Sequence, residues 1–259
     1  MKTTFIMTCA INTNIGIYDP SFRILQIQQT MDSILGHYPD ANIILVDGGK
    51  PVVAAEYPAL YEQYRQLTQR AHVYLDMTNN EQVQNFHKNY LDKIKVRHEM
   101  GGTTGLIKSA AENIIMYNVL HTLQTNAELE AFRNVDRIFK ISGRYMLSPL
   151  FDSSIYETAT AQNLYVFKQR EKSWMPDALS AIGVEHSYSS RLWSFPAKLL
   201  EDCVQRYENI INDYYSITET HYVDIEHLLY KHMGPAVSQE IEHTHLMGTI
   251  APNGTLIYD

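Results

Sequence analysis

The sequence predicts an α/β fold in which a central, mostly parallel β-sheet is flanked by helices. Two observations support this: short apolar runs alternate with longer segments of helical periodicity, and each apolar run ends in a polar or glycine-containing loop. The alternation begins with a strand over 3–10, a helix after Asp19-Pro20, a strand over 41–46, a helix over 54–70 and a strand over 72–75. Because strand–helix–strand units join parallel strands with right-handed crossovers, these segments predict one side of a parallel sheet.

The first of these helices has a well-defined start. Asp19 is predicted to be its N-cap, and Pro20 takes the first helical position, where a missing N–H costs nothing. Apolar residues then recur at roughly helical spacing from Ile24 to Leu35. This pattern predicts a helix that follows the first strand after a polar loop.

The rest of the chain is first regular and then less so. No internal repeat or low-complexity linker divides it, so its length fits one large domain whose pattern changes near residue 150. The remaining predicted elements, in chain order, are helices over 81–97 and 106–123, strands over 135–141, 164–167 and 191–195, helices over 196–207 and 222–232, and a turn-rich strand segment from about Ser238.

Composition restricts the possible functions. The net charge of −8 and the lack of a long basic run exclude a broad nucleic-acid surface, although a local cationic pocket remains possible. Phe5-Ile6-Met7 is too short for a signal-peptide core, and no apolar run is long enough to cross a membrane. Cys9 and Cys203 are predicted to be buried thiols, which suits a reducing compartment, and a cytoplasmic location is expected.

The sheet is expected to be organised around the strand over 135–141, which runs directly into Ser142-Gly143-Arg144-Tyr145. Ligands of open α/β sheets bind outside the carboxyl ends of the strands, so Arg144 would lie at such an edge. Its guanidinium fork suits phosphate oxygens, and Gly143 would let a ligand or another backbone approach closely.

This order of elements resembles the GT-A fold, the Rossmann-like fold of nucleotide-sugar glycosyltransferases. The loop from Thr8 to Asn14 occupies the place where that family holds the nucleoside, and Asp47 matches an acidic residue that often contacts base or ribose. The segment from Gly101 to Gly105, followed by Ala110-Ala111-Glu112-Asn113, resembles the family's glycine turn and following helix. Residues 136–141 resemble the strand that carries the Asp-x-Asp motif.

The resemblance implies a single GT-A-like domain over 1–259, with a nucleotide-sugar-binding part (1–150) and an acceptor-binding part (151–259). The implied donor is a nucleotide sugar of the UDP or GDP type. The donor-binding residues are expected to be Thr8, Asn12, Asp47, Gly101, Gly102, Gly105, Lys140, Ser142, Gly143 and Arg144.

The sequence departs from the family pattern at the end of this strand. Ser142-Gly143-Arg144 stands where an acidic pair normally holds a divalent ion on the diphosphate. No metal is therefore favoured, although Mn or Mg remains possible. Arg144 can neutralise the leaving diphosphate in its place, because a fixed positive charge near a developing anion lowers the barrier.

Each donor residue also has a simpler interpretation. Arg144 could be a surface arginine that closes a turn, and Asp47 could be a turn-capping aspartate. The cluster from Gly101 to Gly105 could be a flexible loop, although its position before a long helix allows backbone N–H groups to face phosphate.

The catalytic base of an inverting transfer is expected in the second part of the chain. Asp224 and Glu226 open a predicted helix, and a carboxylate there could take the proton of an acceptor hydroxyl, with Glu226 ahead of Asp224 and Asp177 third. The alternative is that acidic residues favour the first turn of any helix.

Aromatic side chains and a histidine pair complete the candidates. The acceptor site is expected to use Trp174, Tyr188, Arg191 and Trp193, although core packing is the commoner use of such aromatic rings. His243 and His245 would share one face of a strand and could bind a metal, or they could simply be solvent-facing.

The function expected from the sequence is transfer of a sugar from a nucleotide-sugar donor to a saccharide acceptor, in glycan or surface-polysaccharide synthesis. The alternative is a nucleotide- or sugar-binding protein that keeps the fold without turnover, since the acidic pair is absent. A nucleotidyltransferase is disfavoured because no Gly-x-Gly-x-x-Gly-type loop follows the first strand.

Overall fold

The computed structural model describes residues 1–13, 17–95, 103–217, 221, 223–249 and 254–259. The strands found in these residues are β1 (Thr3–Cys9), β2 (Asn42–Asp47), β3 (Val73–Asp76), β4 (Arg137–Ser142), β5 (Tyr145–Leu147), β6 (Tyr165–Lys168), β7 (Glu171–Lys172), β8 (His186–Ser187), β9 (Leu192–Pro196), β10 (Ser238–Ile241), β11 (Leu246–Thr249) and β12 (Leu256–Tyr258). The helices are α1 (Pro20–His37), α2 (Pro58–Arg70), α3 (Glu81–Lys95), α4 (Thr103–Thr125), α5 (Glu130–Arg133), α6 (Pro176–Ile182), α7 (Leu200–Ile217) and α8 (Ile225–Met233).

A seven-stranded sheet in the order β10-β6-β9-β4-β1-β2-β3 forms the centre of the molecule. Strands β3, β2, β1 and β4 are mutually parallel, β9 runs antiparallel to both β4 and β6, and β10 is parallel to β6. The predicted α/β class with a mostly parallel sheet is therefore confirmed. Strands from both sides of residue 150 belong to this one sheet.

The sheet separates two apolar layers, because successive side chains of a strand point to opposite faces. Ile6 and Ile138 pack in the layer that contains α4, α7 and α8. Phe5 and Phe139, whose rings stack with centroids 4.6 Å apart, pack in the layer that contains α1. The central strands are thus buried on both faces. A ligand can therefore meet these strands only at their ends, where polar groups are found.

Some of the predicted helix and strand boundaries agree with the structure, and others differ from it. Asp19 caps α1, since its carboxylate accepts the Phe22 N–H at 2.9 Å, and Pro20 begins the helix as predicted. Helix α4 begins at Thr103, so Gly105 lies in its first turn and not in the predicted glycine turn. Helix α7 begins and ends later than the predicted helix over 196–207. The sequence analysis missed the short strands β5, β7 and β8 and helix α6.

A small second sheet in the order β12-β11-β5 joins the chain end to the segment after β4. Strand β11 pairs antiparallel with both of its neighbours, which agrees with the predicted turn-rich strand segment. Among the residues that the structure describes, no helix combines the length and the apolar character that a membrane crossing requires.

Candidate active site

A cleft of about 540 Å³ opens at the carboxyl ends of β1, β2 and β4. This is the edge at which parallel α/β sheets bind ligands. The described residues that line it come from these strand ends and the segment after β3, from α1, α3 and α4, from the segment before β9 and from the first turn of α8. Those used below are Thr8, Asn12, Arg23, Gly48, Gly49, His87, Lys108, Glu112, Ser142, Arg144, Tyr145, Ser190, Arg191 and Glu226.

Asp47, at the end of β2, builds the backbone on one side of the cleft. Its Oδ1 accepts the N–H groups of Ile11 at 3.2 Å and Gly49 at 2.9 Å, and the residue is 0% exposed. Oδ2 is buried without a hydrogen-bond partner, and burial raises the pKa of this carboxyl to about 6. Asp47 therefore ties the loop after β1 to the turn after β2 and presents no oxygen to a ligand.

Glycine is needed where these two loops meet. A Cβ on Gly49 would lie 2.8 Å from the carbonyl oxygen of Asn12, and one on Gly48 would lie 2.4 Å from a methyl of Ile115. The neighbouring Lys50 N–H donates to the Asn12 carbonyl, and the Asn12 amide donates to Pro51 O at 3.0 Å. The described part of the predicted nucleoside loop is thus bound to the segment that follows β2, and Asn14 lies outside the described residues.

Three cations form one wall of the cleft, hereafter the cationic wall: Arg23 of α1, Lys108 of α4 and Arg144 after β4. Arg23 is 8% exposed and is bound to the carbonyls of Tyr18 and Ala10. Burial, followed by the charge of Arg144, lowers its pKa. These positive charges therefore lie close enough to repel one another, and an anion between them would relieve that repulsion.

Arg144 and Arg191 meet across one aromatic ring. The Arg144 guanidinium carbon lies 5.2 Å from the centroid of Tyr145, and that of Arg191 lies 5.7 Å from it. Arg144 Nε is buried without a hydrogen-bond partner. Both guanidinium groups therefore lie beside the same ring of the cleft lining, where they add positive charge to the site.

Lys140 takes a supporting position beneath the cleft. Its ammonium group donates to Glu112 at 2.8 Å, to Ser142 Oγ at 3.1 Å and to the carbonyl of Ser190 at 2.6 Å. Burial would raise the pKa of Glu112, but the charges of Lys140 and Lys108 outweigh it and lower that pKa. Lys140 is 1% exposed, its ammonium group is bound to three protein groups, and it is not among the described residues that line the cleft.

Glu226, in the first turn of α8, also lines the cleft, and with Ser190 it forms the part hereafter called the carboxylate wall. Its Oε1 accepts the N–H and the hydroxyl of Ser190, each at 3.2 Å. Burial and then the neighbouring Asp224 raise the pKa of Glu226, while the charge of Arg191 opposes the rise. A raised pKa makes an ionised carboxylate a stronger proton acceptor, which is the property of a general base.

The predicted donor residues divide into two groups. Thr8, Asn12, Ser142 and Arg144 line the cleft. Asp47 and Lys140 are turned inward as described above, and Gly143 is packed so closely that a Cβ would lie 3.2–3.4 Å from Ile27, Met7 and Cys9. Gly101 and Gly102 lie outside the described residues.

The predicted catalytic acids are placed differently from one another. Glu226 lines the cleft, whereas Asp224 caps α8 and accepts the N–H groups of Glu226 and His227. Asp224 therefore has the helix-start role that the sequence analysis gave as the alternative to a catalytic base. Asp177 lies in the first turn of α6 and is not among the described residues that line the cleft.

The predicted acceptor residues are mostly not at the cleft. Tyr188 and Trp193 are core residues at 0% and 1% exposure, where both rings stack on Phe167, and not exposed stacking surfaces. Trp174 is 81% exposed but lies outside the described lining. Arg191 does line the cleft, beside Arg144 and not alone on an acceptor side.

Sequence reasoning missed Arg23, Lys108, Tyr145, Ser190 and His87, which all line the cleft. For Arg23 a signal existed, because a cation in the first turn of a helix opposes the helix dipole and calls for another reason to be there. Burial lowers the pKa of His87, whose Nε2 is buried without a hydrogen-bond partner. No comparable signal marked the others, which depend on packing between distant segments.

Among the described residues at this edge, the carboxylates of Asp47 and Glu112 are already bound within the protein. Glu112 accepts from Lys140, Asp47 accepts backbone N–H groups, and Ser142 and Arg144 offer no carboxylate. His243 and His245 lie between β10 and β11, and not on one strand as predicted. Among the described residues no three His, Cys, Asp or Glu side chains gather to form a metal site.

Solved structures with the same fold are glycosyltransferases. Core-mannan synthase A from Aspergillus fumigatus, in its Mn/GDP form, aligns with 98% of this chain and 77% of its own at 8% identity, with a TM-score of 0.55. The mannosyltransferase Ktr4p from S. cerevisiae aligns with 90% of this chain and 65% of its own at 4% identity, with a TM-score of 0.50. The galactosyltransferase LgtC, in complex with donor and acceptor sugar analogues, aligns with 93% and 73% at 12% identity and a TM-score of 0.48.

The similarities to core-mannan synthase A and Ktr4p show the class of fold, which is that of GT-A glycosyltransferases. No protein-family model matches the sequence, and no curated protein matches it. The identities are too low to carry a substrate from these proteins to this chain.

Proposed function

We propose that this protein is a glycosyltransferase that moves a sugar from a nucleotide-sugar donor to a saccharide acceptor without a metal ion. One observation carries the proposal: a single cleft at the strand ends is lined both by the three cations of the cationic wall and by the carboxyl of Glu226, whose pKa is raised. The first suits a diphosphate, and the second suits an acceptor hydroxyl. The GT-A fold, which the chain shares with known glycosyltransferases, supports the same proposal.

In the proposed reaction the oxygen of an acceptor hydroxyl attacks the anomeric carbon of the donor sugar. The bond between that carbon and the diphosphate oxygen breaks, and the hydroxyl proton passes to Glu226. Negative charge grows on the leaving diphosphate, where the guanidinium groups of Arg144 and Arg191 offset it. Direct attack of this kind inverts the anomeric centre.

The donor has a natural orientation in this cleft. The nucleoside lies on the loop after β1, near Thr8 and Asn12, and its diphosphate lies along the cationic wall. The sugar then projects toward Glu226. A nucleotide of the UDP or GDP type fits this description, and GDP is a sensible first ligand because core-mannan synthase A, which has the same fold, has been obtained in a Mn/GDP form.

The test has two stages that separate binding from turnover. Thermal melting is measured with UDP, GDP and their sugar conjugates, since a ligand that binds only the folded state raises the melting temperature. A donor that shifts melting is then supplied with a panel of saccharide acceptors, and both nucleoside diphosphate release and sugar transfer are followed. The proposal fails if no nucleotide or nucleotide sugar binds.

A second function is favoured by one observation. Ser142 and Arg144 replace the acidic pair, and Oε1 of Glu226 is already bound to Ser190, as in a protein that keeps the fold to bind a nucleotide or sugar. This alternative predicts binding without transfer. A donor that binds but is never consumed across the acceptor panel would favour it.

A further inference from the structure

A chain of hydrogen bonds beside the cleft joins three residues that have no part in the proposed reaction. Ser173 Oγ lies 2.6 Å from His227 Nε2, and His227 Nδ1 lies 2.5 Å from Asp224 Oδ1. Asp224 Oδ1 accepts, as it also does from two backbone N–H groups, so His227 Nδ1 donates to it and the Ser173 hydroxyl can donate to Nε2. His227 is 2% exposed, and both of its nitrogens are therefore used within the protein.

Both ends of this chain are fixed to backbone. Asp224 Oδ1 also accepts the N–H groups of Glu226 at 3.1 Å and His227 at 3.2 Å, which caps α8. Ser173 Oγ accepts the Met175 N–H at 3.0 Å, and the Ser173 N–H donates to Glu185 O at 2.7 Å. The chain therefore connects the start of α8 to the segment between β7 and α6.

Glu226 lies within this arrangement. Its N–H is bound to Asp224, its carbonyl accepts the Tyr188 N–H at 3.0 Å, and its Oε1 accepts from Ser190. The orientation of Glu226 thus depends on the cap at Asp224 and on the segment 188–190. A shift of the cap would move the carboxylate relative to the cleft.

We infer that Ser173 and His227 are positioning residues for the Glu226 carboxylate: they hold Asp224, and through it the first turn of α8, in the orientation that directs Glu226 to the cleft. This inference rests on the proposed role of Glu226 as the base. The three residues have the connectivity of a serine-hydrolase triad. However, Ser173 Oγ already accepts the Met175 N–H, and Ser173 is not among the described residues that line the cleft.

The experiment compares Ser173→Ala, His227→Asn and the conservative Ser173→Thr, with the exposed Ser216→Ala as matched control. The first readout is backbone hydrogen exchange at Tyr188 and Ser190, whose N–H groups bind Glu226. We expect exchange there to accelerate about tenfold or more in Ser173→Ala and His227→Asn and to stay at the wild-type rate in β1. The second readout is sugar transfer. We expect Ser173→Ala and His227→Asn to lower kcat about tenfold and to leave the donor KM within about twofold of wild type. Ser173→Thr should restore both the exchange rate and kcat.

The readouts separate this inference from the proposed function. If the wild type transfers no sugar, the proposed function fails, while faster exchange at Tyr188 and Ser190 still supports the positioning of Glu226. Unchanged exchange in both variants would overturn the inference, and so would faster exchange with an unchanged kcat in an active enzyme. Covalent labelling of Ser173 by a fluorophosphonate would also overturn it, because that residue would then be a nucleophile.

Discussion

The cationic wall and the carboxylate wall of the cleft differ in how their charged side chains are bound by the rest of the protein. On the cationic wall, Arg23 and Arg144 lie close enough for the charge of Arg144 to lower the pKa of Arg23, while the carboxylate of Asp47, at the end of β2, accepts backbone N–H groups. On the carboxylate wall, Glu226 faces the cleft while Asp224 behind it is engaged by a helix cap and a histidine.

The difference shows that burial and hydrogen bonding, and not residue type alone, decide what a charged side chain does. Asp47 and Glu226 both have a raised pKa, and in both cases burial is the main cause. Only Glu226 lines the cleft. The same physical shift therefore signals a structural carboxyl at one wall and a candidate base at the other.

The strongest test of this comparison removes the charge of the carboxylate wall. Glu226→Gln keeps the size of the side chain and its bond from Ser190 but cannot take a proton, so transfer should fall by about 10²–10⁴-fold with donor binding near wild type. Steady-state kinetics and donor titration measure the two effects. Glu62→Gln, on the exposed face of α2, is the matched control.

A wild-type rate in Glu226→Gln would place the base elsewhere, with Asp177 the next candidate, or would indicate a retaining mechanism. Asp224→Asn is not a neutral control, because Asp224 orients His227 and contributes to the raised pKa of Glu226.

The second test removes a charge from the cationic wall. A charge-assisted contact is worth about 1.5–3 kcal/mol, so Arg144→Ala should weaken binding of a nucleoside diphosphate at least about tenfold and change binding of the bare nucleoside little. Isothermal titration measures both ligands. Arg65→Ala removes an exposed arginine of α2 and should leave both affinities unchanged. Equal losses for the two ligands would make Arg144 a structural residue.

The third test asks whether Asp47 behaves as a buried structural carboxyl. Its folded pKa of about 6 lies above the usual value of 3.8, so its contribution to stability is complete below the lower value and is lost as the pH rises through the higher one. Between about pH 4 and pH 7 this loss is on the order of 2 kcal/mol.

Asp47→Asn should abolish that part of the pH dependence and raise the free energy of unfolding at neutral pH relative to wild type. Urea denaturation across this pH range measures it, with the exposed Asp40→Asn as control. A parallel pH dependence in wild type and Asp47→Asn would show that Asp47 is ionised at no cost in the folded protein.

The smallest expected effect is the change in nucleotide affinity when a divalent metal ion is added or removed. Since the proposed reaction uses the cationic wall and no metal ion to hold the diphosphate, EDTA or added Mn²⁺ should change the affinity for a nucleoside diphosphate by less than about twofold. Titrations with and without metal decide this point. Loss of binding in EDTA would show that a divalent ion, and not the cationic wall, holds the diphosphate.

The sequence predicted those features that depend on local chemistry. The start of α1 at Asp19-Pro20 is set by capping and by the proline ring, and the strand end at Arg144 is set by an apolar run that stops at Ser142-Gly143. Both can be recognised within a few residues. The position of Arg144 at a ligand cleft follows from the general rule for parallel sheets.

Features that depend on distant partners could not be predicted in this way. Lys140 was expected to contact the donor, but Glu112 lies 28 residues earlier and reaches it only because α4 packs on the sheet. Trp193 was expected to stack on a sugar, yet β9 lies between β4 and β6 and is buried on both faces. Arg191 joins Arg144 only through the ring of Tyr145.

The tight packing of Gly143 has a consequence for how such a site can evolve. The side chains on either side of it, Ser142 and Arg144, both line the cleft, while the glycine between them is pressed against the core. An acidic side chain in place of Arg144 would remove one positive charge from the cleft, while Arg23, Lys108 and Arg191 would remain in its lining. The charge that this turn presents can therefore be altered at positions 142 and 144 without a change in its backbone, as long as position 143 has no larger side chain.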